Sequence, residues 1–120
     1  MVFTDTDYKL FTIGAKFKSK GFRALSEIID MVEEKLNKKE VVNMGKLYKE
    51  YAKNNNLSAL SVERNIRTVI QNMSKSKKFV DYFDEEHYTV TDFIYEFIRL
   101  KDSIKVWTFK FKKNSRYWNW

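Results

Sequence analysis

From Phe22 to Leu36 the apolar residues Phe22, Leu25, Ile29, Val32 and Leu36 recur at three- and four-residue steps, the period that gathers side chains on one face of an α-helix. The period returns at Met44, Leu47, Tyr48 and Tyr51, and again at Val62, Ile66, Val69, Ile70 and Met73. Successive amphipathic stretches must bury their apolar faces against one another, so the chain is constrained to a mainly α architecture. Proline is absent and glycine occurs only at Gly14, Gly21 and Gly45, so no flexible linker divides the sequence. One domain over 1–120 is expected.

The stripes predict helices over 22–37, 43–53 and 58–73, with a turn at Asn54, Asn55 and Asn56, residues that tolerate left-handed backbone. A last helix is predicted to start near Thr91 and Asp92 and to bury Phe93, Ile94, Phe97, Ile98 and Leu100. Between them, after the basic stretch Lys75 to Lys78, the segment Phe79 to Glu86 reads as a short helix or an irregular stretch. Two segments read as extended, Tyr8 to Ile13 and Ile104 to Lys112, and are expected to pair as a small terminal β ribbon. The expected fold is a helix-turn-helix bundle of about five helices. Tyr117, Trp118 and Trp120 are expected to pack on this core or on a partner, since a disordered end rarely carries three large aromatics.

The formal net charge is +7 and the pI about 9.5, which favours phosphate polymers as partners over an anionic membrane surface. No apolar run approaches the roughly 20 residues of a membrane span, and the polar start with Asp5 and Asp7 does not resemble a secretion signal. Without cysteine there are no disulfides or thiolate metal sites, so a cytoplasmic location is expected.

A helix, a turn near 54–57 and a longer helix over 58–73 reproduce the spacing of a helix-turn-helix, whose second helix enters the major groove of DNA. That helix needs one apolar face to dock and one polar face to meet base edges and phosphates. Here Arg64, Arg67, Thr68 and Gln71 lie broadly opposite the apolar stripe. A solvated surface helix of an α-bundle would show the same periodicity.

The residues Ile13 and Gly14, then Lys20, Gly21, Phe22, Leu25 and Ile29, then Leu47 and Tyr48, and above all Ser-Val-Glu-Arg-Asn-Ile-Arg at 61–67, carry a family likeness. Together they resemble the DNA-binding effector domain of the stage-zero sporulation response regulator of endospore-forming bacteria. The likeness runs from Ile13 to about Ser103, with Thr91, Asp92, Phe93 and Ile94 resembling the start of that family's last helix. It implies a helical fold and transcriptional control through a short DNA box, often in tandem copies bound by neighbouring protomers.

Carried over by resemblance, Glu63 would approach a base edge, a pairing that suits the cytosine amino group, and Arg64 and Arg67 would contact bases or phosphates. Ser61 stands where the family usually has a base-reading arginine, and Asn65 and Thr68 replace an alanine and a histidine, so the sequence read is expected to differ. The base-reading set expected is Ser61, Glu63, Arg64, Asn65, Arg67 and Thr68. No receiver domain is expected, since the likeness starts close to the beginning of the sequence.

Phosphate contacts are expected from Lys16, Lys18 and Lys20, from Gln71 and Lys75, and from Lys110 and Lys112 in the basic aromatic extension 104–120. Lys9 and Arg23 belong to the same basic run, which holds no acidic residue between Tyr8 and Ser26. A solvated face is the competing reading of that run, and core or interface packing that of the aromatics, which could otherwise stack single-stranded bases.

The partners expected are double-stranded DNA, a second copy of the chain on tandem sites and the transcription machinery, with no membrane and no small-molecule ligand. The alternative is a protein-interaction module, such as an antagonist of a regulator, that keeps the fold without reading DNA. Catalysis, cofactors and metals are not expected. His87 beside Asp84, Glu85 and Glu86 lacks the further histidine or cysteine ligands typical of a zinc site, and the three glycines form no phosphate loop.

Overall fold

The structure is a computed structural model and describes residues 3–83 and 88–104. Six α-helices make up most of the described residues: α1 (Asp5–Thr12), α2 (Phe22–Asn37), α3 (Met44–Asn54), α4 (Ala59–Met73), α5 (Lys77–Val80) and α6 (Val90–Leu100). A single 3-10 turn, Lys101–Ser103, follows α6, and no strand occurs among the described residues. None of these helices is long and apolar enough to cross a membrane.

Helix α2 is the axis of the fold and packs against α1, α3, α4 and α6. Its inward face runs through Phe22, Leu25, Ile28, Ile29 and Val32, all 2% exposed or less. Leu36, the last residue of the expected stripe, leaves the core and is 39% exposed. The predicted inner face of α4 is buried throughout, as Val62, Ile66, Val69, Ile70 and Met73. Of the residues expected in the core from the last helix, Phe93, Ile94 and Phe97 are fully buried, while Ile98 and Leu100 pack against the core from its edge.

Every α-helix start but that of α2, which opens on Gly21, carries a side-chain cap. Asn43, Ser58 and Thr89 accept from the backbone N–H of Lys46, Ser61 and Asp92 respectively, satisfying amides that no helical carbonyl reaches. The asparagine turn between α3 and α4 closes through Asn56 at φ +55°, with the Leu57 N–H donating to the Ala52 carbonyl at 2.8 Å. The side-chain properties that mark Asn54 to Asn56 as a turn in the sequence are used here directly.

One expectation is overturned. Tyr8 to Ile13 is not a strand but belongs to α1 and its C-cap. Thr4 accepts from the Asp7 N–H, the Asp7 carboxylate accepts from the Thr4 N–H, and this reciprocal box nucleates the helix. Leu10 and Ile13, three residues apart, both become fully buried, a helical spacing that the short segment hid. The β ribbon therefore lacks its first strand. Of its second, only Ile104 is described, buried after the 3-10 turn; Lys105 to Lys112, like Lys110, Lys112 and the rest of the aromatic extension, lie outside the described residues. So do Asp84 to His87.

The segment after α4 resolves into the short α5, which presents Phe79 to an aromatic layer. Phe79 stacks on Phe83 with ring centroids 4.5 Å apart, and Phe83 stacks on Phe93 of α6 at 5.3 Å. This layer anchors the C-terminal half behind α4.

Candidate nucleic-acid interface

Helices α3 and α4 pack on each other and α4 also rests on α2 and α6, so α4 is held from behind along its length. The side of α4 turned away from these neighbours carries Arg64, Arg67, Thr68 and Gln71, with Lys75 in the turn that follows, all exposed. A cationic, amide-bearing ridge is thus supported on a buried apolar stripe, the division of labour a groove-reading helix requires.

The α1–α2 loop, residues 14–21, lies alongside this ridge. At one end Gly14 adopts φ +107°, and a Cβ there would stand 2.7 Å from the Ser76 side chain, just past the end of α4. At the other end a Cβ on Gly21 would come within 2.3 Å of the Asn65 carbonyl oxygen, in the middle of α4. Glycine is required at both ends for the loop to approach this closely. Between them Lys16, Lys18 and Lys20 are exposed and form no ion pair among the described residues. Lys18 sits over the ring of Phe17, which is itself 51% exposed.

Lys9 and Arg23 do not share that freedom. Lys9 pairs with Asp5 at 3.2 Å and exposes 12% of its side chain. The Arg23 guanidinium donates to both oxygens of the fully buried Asp7, which also accepts from the Ser26 hydroxyl. The acidic partners come from α1, upstream of the acid-free run, and a helix folds them back onto it.

On the opposite flank of α4, the Arg67 guanidinium forms a two-pronged pair with the Glu63 carboxylate, one turn earlier. Tyr48 of α3 stands close to this pair, and its phenol is pushed up to about 12, first by burial and then by the negative charge of Glu63, with Arg67 opposing. A groove of about 390 Å³ runs along this flank between Arg67 and Gln71 of α4, its C-cap Ser74, and Tyr88 and Thr89 just before α6.

The base-reading candidates therefore divide. Arg64 and Thr68 face outward, with the Thr68 hydroxyl donating to the Arg64 carbonyl. Ser61 sits in the first turn and accepts from the Ser58 hydroxyl at 2.9 Å. Asn65 lies half-buried on the loop flank beside Gly21, and Glu63, with 26% of its side chain exposed, is engaged by Arg67.

Two polar residues went unnoticed in the sequence: Ser19 and Asn72, which share a recess of about 300 Å³ with Lys16 and Lys75. The available signal was Asn65 and Asn72, seven residues apart and hence on one flank of the helix. Among the described residues no group of three or more histidine, cysteine or carboxylate side chains is placed to hold a metal ion.

A family model described as Sporulation initiation factor Spo0A C terminal matches residues 7–95. The match begins at the buried Asp7, upstream of the likeness visible from Ile13. No curated protein and no solved structure matches the chain.

Proposed function

Because this chain belongs to the family of sporulation initiation factor C-terminal domains, a DNA-binding family and not one of enzymes, we propose that it is a sequence-specific double-stranded DNA-binding regulator of transcription. The observation that carries this reading is the position of Arg64 and Arg67: both are exposed on a helix whose other face is fully buried. In this reading α4 enters the major groove as the second element of the α3–turn–α4 unit. Arg64 and Thr68 meet base edges, Ser61, Asn65 and the Glu63–Arg67 pair border them, and Gln71 with the loop lysines grips the backbone. The extension 104–120 belongs to the same unit, Lys110 and Lys112 add phosphate contacts, and the protein acts in the cytoplasm alone or as tandem copies beside the transcription machinery.

Loss of positive charge at Ser61 relative to the family pattern supports a DNA box of its own. Selecting bound duplexes from a random pool tests the reading. One enriched sequence, bound with an affinity that falls steeply with salt, is the expected result. A pool that stays random, with binding insensitive to salt, overturns it and leaves the protein-interaction alternative in place.

A further inference from the structure

The two flanks of α4 are chemically unlike. On one, Arg67 is partly neutralised by Glu63, whereas the recess on the other combines Lys16 and Ser19 of the loop with Asn72 of α4 and Lys75 just beyond its end, and has no acidic side chain in its lining. Beneath these groups lie the buried Val69 and Met73. Two ammonium groups, a hydroxyl and an amide at the edge of a recess suit a single tetrahedral anion. The loop closes tightly over this recess, against Asn65 of α4 at Gly21 and against Ser76, just beyond α4, at Gly14, where any Cβ would collide.

A duplex offers such an anion at a defined place, since a helix in the major groove has one phosphate backbone on each side of it. Resting on the DNA-binding reading, we infer that the recess formed by Lys16, Ser19, Asn72 and Lys75 seats one backbone phosphate of the strand bordering the loop flank of α4. The seat is one-sided. It fixes how far α4 slides along the groove and which strand lies against the loop, while the exposed face of α4 reads the bases. Glycines 14 and 21 act as positioning residues, holding Lys16 and Ser19 at a constant offset from the helix.

The test compares the full chain with the variant Lys16→Ala/Lys75→Ala on the enriched duplex and on a scrambled one. Both lysines are exposed, so the variant keeps its helical circular dichroism spectrum. The variant is expected to lose about tenfold on both duplexes alike, and its dependence of log affinity on log salt is expected to flatten by about one. Single neutral methylphosphonate linkages, placed in turn along each strand, are expected to weaken the parent at one position on one strand only. The variant is expected to be indifferent to that linkage.

If the parent binds and the variant keeps the parent's salt slope, the seat is wrong and the DNA-binding reading stands. If the parent binds no duplex, both fail together. Inorganic phosphate competing at constant ionic strength separates the remaining source of the anion. Displacement of the duplex by millimolar phosphate that depends on Lys16 and Lys75 would assign the recess to free phosphate instead.

Discussion

Arg67 donates from a single guanidinium nitrogen, Nη2, to both carboxylate oxygens of Glu63, one turn earlier on α4. The pair is half in solvent, with 52% of the Arg67 side chain exposed, so it adds little to stability. If the chain reads DNA as proposed, the pair bears on recognition, because an arginine already holding a carboxylate is a poorer ligand for an arbitrary phosphate. On the proposed DNA-binding reading, the pair is expected to restrain binding to random DNA. Glu63→Gln should raise affinity for a scrambled duplex several-fold while reducing the preference for the enriched site, by about 1–3 kcal/mol if one base contact is lost. Titrating both duplexes at fixed salt checks this, and an unchanged preference would count against it.

Arg64 is exposed and forms no ion pair among the described residues. Arg64→Ala is therefore expected to leave urea unfolding within about 0.5 kcal/mol of the parent, as for most surface substitutions. Binding should suffer selectively. A loss of about 1–3 kcal/mol on the enriched duplex, with a smaller loss on the scrambled one, is the signature of a base-edge contact. Equal losses would reassign Arg64 to the phosphates.

The long helices were legible in the sequence because their stripes are long: α2 and α4 run as predicted within one residue at each end, and Asn56 forms the turn its side chain favours. Helix α1 was not, since eight residues are too few to separate a helical period from an alternating one. The Thr4–Asp7 box was the better signal there, being a local hydrogen-bond requirement that does not depend on length. Within the site, exposure of Arg64 and Arg67 follows from the wheel of α4. The partners of Lys9 and Arg23 do not, because Asp5 and Asp7 meet them only after α1 forms. The recess at Ser19 and Asn72 was equally hidden, as it joins residues 53 positions apart in sequence.

Gly21 opens α2 at the point where the loop meets the backbone of α4, and no side-chain rearrangement can relieve a methyl group 2.3 Å from the Asn65 carbonyl. Gly21→Ala must push α2 and α4 apart. A destabilisation of about 1–3 kcal/mol is expected from such overpacking, seen as a lower urea midpoint with an unchanged slope. A stability equal to that of the parent would show that the two helices are not held in this close approach.

Asp7 is fully buried and is held by the Thr4 N–H, the Ser26 hydroxyl and the Arg23 guanidinium, joining α1 to α2. Asp7→Ala leaves those donors without their acceptor. Because Arg23 keeps 37% of its side chain in solvent and can rehydrate, the cost should fall near the lower end for a broken buried pair, about 3 kcal/mol. Urea unfolding measures it, and a loss below about 1 kcal/mol would mean that α1 is not fastened through this carboxylate.

Tyr48 titrates in the folded protein at about 12 against an ordinary value of 10.0, because burial and the Glu63 carboxylate both disfavour the phenolate. As pH rises above 10 the unfolded chain releases this proton while the folded chain retains it, so the folded state becomes progressively less stable up to about 12. Below pH 10 both states hold the proton and no dependence from this group is expected. Tyr48→Phe removes that share of the alkaline decline and leaves the contribution of Tyr51, whose phenol is also raised by burial. Unfolding free energies of parent and variant should therefore converge between pH 10 and 12, if the variant starts lower, or separate with the variant the more stable, if it starts level. Parallel curves would show that the phenol is not enclosed between α3 and the Glu63–Arg67 pair. In that case the flank of α4 facing Tyr48 is open to water, and Glu63 has no fixed neighbour to hold it against Arg67.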